Sequence, residues 1–458
     1  MLKRLKSSPG EGEECRSSDS ELFRTKIDDL HEVLLVEILC RLPSNKFLFQ
    51  CKCVSKRWYS LISAPYLLGR YLCLQHELQN PILSTLVVFD SVSLVITSDH
   101  PVFKSLAKNF TLGFLPCYQQ AKELEELAKG QGPWWRSLKP GSIVPPVVVG
   151  TYNDLVLCCA TEHDQRNYYL CNPYTKQWAA LPPPPRVYSY VHVAFVCDTY
   201  YKYSNDDHDK REATFILNAE YTWKVVRVVP NSSDPNFHLE IFSSETRQWR
   251  EIVVLCSPPF SCFALIFFGP ATYSFVAYNG MLYWWLNCGL IFELDLSKSN
   301  TASNIAKSRF IELPEGVKGL GLGLLGVSGG QLRLCRTQEF LPEDHDEGLH
   351  VFRVRELKQV VEDSQGKLAW LVDRVTIACK DIQVIYPNRN AVLAFHPNNE
   401  DIVYLRYCET IITCNLRGGM LETATKSQFC GGTAEVRYPF LLPWWPTPVP
   451  KTLELPLA

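Results

Sequence analysis

The chain has 458 residues, of which 46% are hydrophobic and 21% charged, and these values exclude a disordered or fibrous chain. Its 46 Lys and Arg against 48 Asp and Glu give a formal net charge of -2, without the clustered basic charge that binding to nucleic acid requires. The 18 Cys include no C-x-x-C spacing, which disfavours zinc-ribbon and thioredoxin-type sites.

The first residues are polar and show no secretory signal. The basic start MLKRLK is followed by Glu11, Glu13 and Glu14, and no apolar signal segment comes after it. We therefore expect a disordered polar tail over residues 1–26 and an unsecreted protein of the nucleus and/or cytoplasm.

A short apolar helical piece follows, from Asp28 to Leu67. Its first helix is predicted to be capped by Asp29, with Glu32 three residues on in a capping-box pattern, and to end before Pro43. Apolar side chains fall at helical spacing between these signals: Leu34, Leu35, Ile38, Leu39 and Leu42.

A second helix is predicted to begin at Ser44 or Asn45 and to end at Ala64-Pro65. It carries the apolar residues Phe47, Leu48, Cys51, Val54, Trp58, Leu61 and Ile62. A unit of about 40 residues has too little core to be stable alone, so its apolar surface needs a covering partner.

From residue 82 to about 450 the sequence consists of short β-branched and aromatic runs separated by Pro, Gly and Asn, which is typical of an all-β domain. The exception is the charged segment Gln119 to Gly130, for which a helix is predicted.

A strand-turn-strand unit recurs in this β region. Two copies share Thr-(Lys/Arg)-Gln-Trp, at Thr175 to Trp178 and at Thr246 to Trp249. Equivalent positions of five units lie roughly 50 to 70 residues apart, and they are Cys171, Ile241, Phe292, Phe352 and Cys414. This period fits a four-stranded propeller blade with long loops, so a β-propeller of five or six blades is predicted. A β-sandwich is the alternative, although it does not explain the shared motif.

The run from Ile252 to Phe292 contains no charged side chain, which raises the question of a membrane span. Pro and Gly divide it into pieces of strand length, whose turns would leave backbone groups unsatisfied in lipid. Buried strands are the preferred interpretation, and we expect no membrane association.

The helical piece, LHEVLLVEILCRLP followed by CKCVSKRWYSLISAP, resembles the F-box. The β region, with YYLCNPYTKQWAALPPPP, IFSSETRQWRE, YNGMLYWW and FHPNNEDIVYLRY, is similar to the F-box-associated, kelch-like β domain of the large plant F-box family. The resemblance covers most of residues 28–450. It implies a small all-α F-box module at 27–75, followed by a large all-β propeller-like domain at 82–450.

In that family a Skp-type linker protein of a cullin-RING ubiquitin ligase covers the apolar F-box helices. Carried over by resemblance, the linker-binding residues are Leu30, Leu34, Leu35, Ile38, Leu39, Leu42, Pro43, Val54 and Trp58. The chain departs from the family pattern at His31, where the family usually has Pro. The segment between Pro43 and Trp58 is also one residue longer, which leaves Cys53 or Val54 as the contact. On helical pattern alone, the alternative is a subdomain packed on its own β domain, with Trp58 as a core residue.

Other sequence features do not carry catalytic chemistry. GLGLLG at Gly321 to Gly326 satisfies G-x-G-x-x-G, but a strand-forming segment follows it where a dinucleotide site needs a helix. His396 is interpreted as a turn residue, the acidic run Leu341 to His350 as a solvated loop, and Cys158-Cys159 as core. The Pro-rich segment LLPWWPTPVPKTLELP is predicted to lie along the β domain as a closing strand or strap.

These observations favour a non-catalytic substrate adaptor of a Skp–cullin–F-box ubiquitin ligase, without a cofactor. Its partners would be the Skp-type linker, through it a cullin and a RING subunit, and an unknown substrate protein. Two alternatives stay open. One is a binding or scaffold protein whose propeller recognises a small molecule or glycan, and the other is a propeller-fold hydrolase or oxidase.

Overall fold

The computed structural model divides into two compact units, Met1–Leu74 and Gln75–Ala458. The residues that it describes are 27–80, 82–89, 94–96, 103, 112–117, 146–161, 165–188, 191–204, 214–229, 236–254, 275–286, 290–296, 308–312, 323–339, 350–359, 368–379, 392–407, 410–417, 420–425 and 436–450. The tail predicted at 1–26 and the helix predicted at 119–130 lie outside the described residues, as does the acidic run except for its last residue.

The first unit, called the helical module below (described residues 27–74), starts with a turn of 3-10 helix at Ile27–Asp29. The α-helices that follow are α1 (Glu32–Cys40), α2 (Asn45–Cys51), α3 (Lys56–Ser63) and α4 (Pro65–Glu77). Their buried apolar side chains form the core of the module, and these include Leu35, Leu39, Leu48, Trp58, Ile62 and Leu67.

The N-terminus of α1 differs from the prediction. Asp29 lies in the 3-10 turn, and His31 is the N-cap, where its Nδ1 accepts a hydrogen bond from the Val33 amide at 3.4 Å. The predicted capping box is therefore wrong. The imidazole nitrogen takes the role that a Ser, Thr or Asp oxygen commonly has at this position.

The single second helix of the prediction is in fact two helices. The first, α2, ends at Cys51. Ser55 has an extended backbone, and its Oγ accepts a hydrogen bond from the Trp58 amide at 3.2 Å, so it caps the N-terminus of α3. Pro65 follows the end of α3 and also begins α4, which the sequence analysis did not predict. A proline at the first helical position is favourable because its missing N–H would have had no partner there.

The second unit is made of β-strands. In chain order they are β1 (Leu83–Phe89), β2 (Leu94–Ile96), β3 (Val147–Tyr152), β4 (Leu155–Cys159), β5 (Tyr168–Asn172), β6 (Gln177–Ala180), β7 (His192–Cys197), β8 (Tyr201–Ser204), β9 (Thr214–Leu217), β10 (Trp223–Val229), β11 (Phe237–Ser243), β12 (Gln248–Val254), β13 (Phe275–Tyr278), β14 (Met281–Leu286), β15 (Leu290–Asp295), β16 (Ser308–Glu312), β17 (Gly323–Ser328), β18 (Gln331–Glu339), β19 (His350–Gln359), β20 (Leu368–Cys379), β21 (Val392–Phe395), β22 (Ile402–Tyr407), β23 (Thr410–Asn415), β24 (Met420–Thr425) and β25 (Val436–Leu442).

These strands form antiparallel sheets arranged as propeller blades. The described residues give five four-stranded sheets, ordered β3-β4-β5-β6, β7-β10-β11-β12, β13-β14-β15-β16, β17-β18-β19-β20 and β21-β22-β23-β24. A three-stranded sheet has the order β25-β1-β2, and β8-β9 is a separate hairpin inserted between β7 and β10. The predicted fold class, a small all-α module followed by a large all-β propeller, is confirmed.

The inner strands close a ring. Contacts join β3 to β7, β7 to β13, β13 to β17, β17 to β21, β21 to β25, and β25 back to β3. The last link depends on β1, which pairs with β25 along its whole length, from Leu83 opposite Leu442 to Phe89 opposite Val436. Strands far apart in sequence thus complete the sixth sheet.

The shared Thr-(Lys/Arg)-Gln-Trp motif corresponds to a shared hairpin turn. Lys176 and Arg247 have positive φ values of 59° and 56°, and their amides donate to the carbonyls of Asn172 and Ser243, each at 2.8 Å. The following Gln and Trp open the outer strands β6 and β12. The repeated sequence therefore encodes the same turn and strand start in two neighbouring blades.

Apolar clusters fill the space between adjacent sheets. One joins the β7-to-β12 sheet to the β13-to-β16 sheet through residues that include Ile241, Ile252, Leu282 and Trp284. Another joins the first four-stranded sheet to the closing strand through residues that include Cys158, Cys171 and Phe440. The described part of the charge-free run from Ile252 to Phe292 contributes strands that pack in such clusters. No helix among the described residues has the length and apolar character to cross a membrane.

A buried ion pair sits between the first two four-stranded sheets. The side chain of Arg227 on β10 is completely buried, and it pairs with Glu240 on β11. Its guanidinium also donates to the carbonyls of Arg186 at 3.0 Å and Gln165 at 3.2 Å. Burial raises the pKa of Glu240, and the positive charge of Arg227 opposes that rise. Each charge is tolerated in the interior because the other is present.

The turn between β21 and β22 is bonded to two neighbouring sheets, through β1 on one side and the end of β17 on the other. His396 Nδ1 accepts hydrogen bonds from the amides of Asn398 at 3.2 Å and Asn399 at 2.9 Å, and its Nε2 lies 3.1 Å from Ser84 Oγ on β1. Ser328 Oγ donates to the His396 carbonyl at 2.7 Å. Burial lowers the pKa of His396, because the charged imidazolium is disfavoured away from water.

We predict that Arg227→Met destabilises the propeller by about 3–5 kcal/mol, because Glu240 would remain buried without its countercharge. Urea unfolding followed by Trp fluorescence measures the loss. The double variant Arg227→Met, Glu240→Leu should recover most of it, since neither charge is then left in the interior. Equal losses in the single and double variants would contradict this account.

We also predict that acidification weakens the closure through His396. Its pKa is lower in the folded than in the unfolded chain, so its contribution is complete above the unfolded value of about 6.5 and declines below it, by at most about 1.4 kcal/mol per pH unit. The urea midpoints of wild type and His396→Asn, whose side-chain oxygen can still accept from the turn amides, are compared at pH 7.5 and 5.5. The variant should lose less stability on acidification, and an identical loss would disprove the role of His396.

Candidate functional site

Helix α1 exposes apolar side chains on the side that does not face the core of the module. Leu35 and Leu39 are buried, whereas Val33, Leu34 and Ile38 are 50%, 55% and 45% exposed. Apart from Glu32 and Glu37 the helix is apolar all round. Such a helix is normally buried on every side, so this surface lacks a covering partner within the described module.

Further apolar residues of the module are also exposed. Phe47 on α2, Val54 before α3, Tyr59 on α3 and Tyr66 on α4 all expose about half of their surface or more to solvent. We call the exposed residues Val33, Leu34, Ile38, Phe47, Val54, Tyr59 and Tyr66 the apolar surface of the module.

The structure divides the predicted linker-binding residues by exposure. Leu34, Ile38, Pro43 and Val54 are exposed, and Leu30 and Leu42 are half-buried. The remaining three, Leu35, Leu39 and Trp58, are buried in the core of the module, with Trp58 only 7% exposed. Direct linker contact by the whole set stays a prediction, and the exposed members are the ones available for it.

The segment before α3 leaves one predicted alternative open. Cys53 and Val54 both lie in the turn between α2 and α3, and both are exposed. Val54 offers the larger apolar side chain, and it is 58% exposed.

Sequence reasoning missed four residues of the apolar surface: Val33, Phe47, Tyr59 and Tyr66. Phe47 was assigned to the second helix without a binding role, and Val33 lies directly before the predicted stripe. A signal was available for Tyr59 and Tyr66. Tyr59 directly follows the core residue Trp58, and Tyr66 directly follows Pro65, the first residue of α4.

An ion-pair network fixes the polar edge of α1. Glu37 accepts hydrogen bonds from Arg70 Nε on α4 at 2.6 Å and from Arg41 at 2.5 Å. These guanidinium groups, Arg70 first, hold the pKa of Glu37 at about 2. Next to it, burial raises the pKa of the Cys40 thiol to about 11, so this cysteine is a core residue and not a nucleophile. The network ties α1 to α4 and so orients the exposed face of α1.

The contact between His396 and Ser84 does not have the proton arrangement that catalysis requires. His396 Nδ1 accepts from two backbone amides, so the neutral ring carries its proton on Nε2 and donates it to Ser84 Oγ. A general base needs the opposite arrangement, in which the ring nitrogen accepts from the hydroxyl. The interpretation of His396 as a turn residue agrees with this geometry.

The glycine motif lies in a different structural context from a dinucleotide site. Gly323 to Gly326 belong to strand β17, and a Gly329-Gly330 turn with positive φ leads into β18. A Cβ atom on Gly326 would come within 2.7 Å of the Phe395 ring, so close packing requires glycine at this position. Within the part of the chain that the structure describes, no group of three His, Cys, Asp or Glu side chains could hold a metal ion.

Two family models match the chain. The F-box domain matches residues 27–68, and the family described as F-box protein At3g26010-like, beta-propeller, matches residues 112–434. The first range contains the apolar surface, and the second contains most of the propeller strands.

Curated relatives come from Arabidopsis thaliana. F-box protein At5g07610 is 26% identical over 275 residues, which cover 59% of this chain and 53% of the relative. F-box protein At5g49610 is 25% identical over 319 residues, which cover 67% of this chain and 69% of the relative. The matched part thus spans about half the length of the first relative.

Among solved structures, the β-propeller domain of Cps50 (Swd1) from Myceliophteria thermophila is similar with a TM-score of 0.27 at 12% identity, and the match covers 62% of this chain and 88% of that domain. A TM-score this low carries no argument about function. The family assignment rests on the two sequence matches, which fall on the helical module and on the propeller. The chain belongs to the F-box protein At3g26010-like β-propeller family and carries an F-box domain at its helical module.

Proposed function

We propose that this chain is the substrate-recruiting subunit of a Skp–cullin–F-box type ubiquitin ligase in the nucleus and/or cytoplasm. The observation that carries the proposal is the apolar surface of the module, in which Leu34, Ile38 and Val54 are 55%, 45% and 58% exposed. This surface lies within the range that matches the F-box domain. A Skp-type linker would cover this surface, and a cullin and a RING subunit would be joined through it.

Burial of this surface would provide enough favourable free energy for a stable complex. Fully burying an exposed Leu, Ile or Val contributes about 1.5–3 kcal/mol, and a few such residues dominate most interfaces. Tyr59 and Tyr66 add aromatic area of the kind that is enriched at hot spots. The core residues beneath them, Leu35, Leu39 and Trp58, would contribute by holding the exposed residues in place.

The chain would catalyse no step of its own in this role. Its contribution would be proximity, because a target bound to the propeller is held near the ubiquitin-conjugating enzyme of the ligase at a high effective concentration. The proton arrangement at His396 supports this non-catalytic role, since it leaves Ser84 without a general base.

We predict that Leu34→Asp, Ile38→Asp abolishes capture of a co-expressed Skp-type linker, with at least a roughly 30-fold loss of affinity, because two desolvated contacts become charged. Both residues are exposed, so the module should keep its fold. A pulldown measures capture, and hydrogen exchange of α1 to α3 verifies the fold.

The matched control for this experiment is Ile216→Asp. Ile216 is 60% exposed on β9 of the propeller, so the substitution makes the same chemical change outside the module. It should leave linker capture unchanged. A wild-type chain that is folded but captures no linker would refute the proposal and favour a binding or scaffold protein that acts outside a ligase.

We predict a different effect for Trp58→Ala. Because the Trp58 side chain is buried between the helices, its removal should destabilise the module by about 3–5 kcal/mol. Faster hydrogen exchange throughout α1 to α3, with unchanged exchange in the propeller strands, is the expected result. Normal exchange in α1 to α3 combined with lost linker capture would instead show that Trp58 is itself a contact residue.

A further inference from the structure

The chain beyond β25 lies in a groove of the propeller. Residues 443–450, PWWPTPVP, are called the strap here. Trp445, Thr447 and Val449 on the strap are buried, and Val449 joins the apolar cluster that includes Trp223 and Phe242. A proline-rich segment without helix or strand of its own thus packs alternate side chains, those of 445, 447 and 449, against the blades.

Side chains of the propeller bind the backbone of the strap. Asp154 Oδ2 accepts from the Thr447 amide at 2.9 Å, and Asn172 Nδ2 donates to the Thr447 carbonyl at 2.8 Å.

The same pattern continues at the next two residues of the strap. The Tyr221 hydroxyl donates to the Pro448 carbonyl at 2.6 Å, and Gln177 Oε1 accepts from the Val449 amide at 3.1 Å. Four side chains from two blades thus bind the backbone of the strap. This differs from β-strand addition, in which backbone groups of the domain pair with backbone groups of the peptide.

The pattern of donors matches the proline pattern of the strap. Pro446 and Pro448 have no amide N–H, and the intervening Thr447 and Val449 each present one. Each of those two amides meets a side-chain acceptor. A segment with proline at alternate positions therefore leaves no N–H without an acceptor at the positions where the groove offers none. Its prolines also favour an extended conformation before it binds.

The groove side chains are held in place by the propeller itself. Asn172 Oδ1 accepts from the amides of Tyr174 at 2.9 Å and Thr175 at 3.2 Å, in the hairpin turn after β5. Asn172 Nδ2 also donates to Asp154 at 2.7 Å.

The Asp154 carboxylate is fully buried, and its second oxygen, Oδ1, has no hydrogen-bond partner in the structure. The hydrogen bonds of Asn172 and the burial of Asp154 thus preorganise the polar groups of the groove.

We propose that this groove is a peptide-recognition site that the chain fills with its own strap, and that its ligand in trans is an extended segment of another protein with proline at alternate positions, of the Pro-Thr-Pro-Val-Pro type. The strap is then a tethered ligand that competes with the partner. This inference does not depend on linker binding by the helical module.

Displacement of the strap is compatible with the closed ring. The closing contacts are made by β25, which ends at Leu442, before the strap begins. Release of the strap breaks the four backbone contacts and the contacts of its side chains, but it leaves the pairing of β1 with β25 intact.

The experiment uses a chain that ends at Leu442, together with a fluorescent peptide of the strap sequence PWWPTPVP. Fluorescence anisotropy should show saturable binding to the truncated chain, and binding to the full chain at least about tenfold weaker, because the tethered strap competes. A peptide with Pro in place of Thr447 lacks the N–H that Asp154 accepts, and it should bind at least about tenfold more weakly.

The internal repeat supplies a matched control pair. Gln177 and Gln248 occupy the same position of the shared motif in neighbouring blades, and Gln177 contacts the strap. Gln177→Ala in the truncated chain should weaken peptide binding about tenfold, and Gln248→Ala should not change it. A folded truncated chain that binds no peptide, or one that binds the Thr and Pro peptides equally, would overturn the proposal.

If the truncated chain does not fold, the full chain is given a protease site between Leu442 and Pro443 and cut after folding. Excess unlabelled PWWPTPVP should then displace the cut strap on a size-exclusion column, whereas the peptide with Pro in place of Thr447 should not. A cut strap that no peptide displaces would show that the segment is a permanent part of the fold. Linker capture is measured separately, so failure of either proposal leaves the other intact.

Discussion

Closure of the propeller ring is the constraint on which the rest of the β domain depends. In the described residues, apolar clusters lie between successive sheets from β3 to β20, so an open arc of blades would leave apolar faces at its two ends in water. The pairing of β1 with β25 prevents this, because it completes a sheet from strands at opposite ends of the domain. The His396 turn of the β21-to-β24 sheet adds a side-chain contact to Ser84 in this closing sheet and another to Ser328 on β17.

Much of the fold could be predicted from the sequence because the informative signals are local. The shared motif corresponds to a turn with positive φ at Lys176 and Arg247, and each is followed by a strand. The number of blades could not be fixed, since the closing sheet joins distant strands and leaves no periodic trace. Helix α4 was not predicted because Pro65 was interpreted only as the end of the preceding helix, whereas proline is also favourable as the first residue of a new helix.

The candidate site was predictable as a region but not residue by residue. Helix α1 is apolar on nearly every side, so helical periodicity does not reveal which side chains enter the core. The structure places Leu35 and Leu39 inside and Leu34 and Ile38 outside, a division that depends on how α3 and α4 pack. The strap groove could not be predicted from the sequence for another reason. Its polar side chains come from separate strands and turns, and no sequence motif links them: Asp154, Asn172, Gln177 and Tyr221.

The pairing of β1 with β25 also has a consequence for synthesis of the chain. The ribosome must add the residues between Leu83 and Val436 before β1 can meet its partner, which takes roughly 20 to 70 seconds at ordinary elongation rates. During this time the helical module, which precedes β1, has left the exit tunnel, while the propeller is still incomplete and its apolar sheet faces are exposed. The helical module can therefore complete its fold, with its apolar surface already exposed, while the propeller is still being translated, so the two units form at different stages of synthesis.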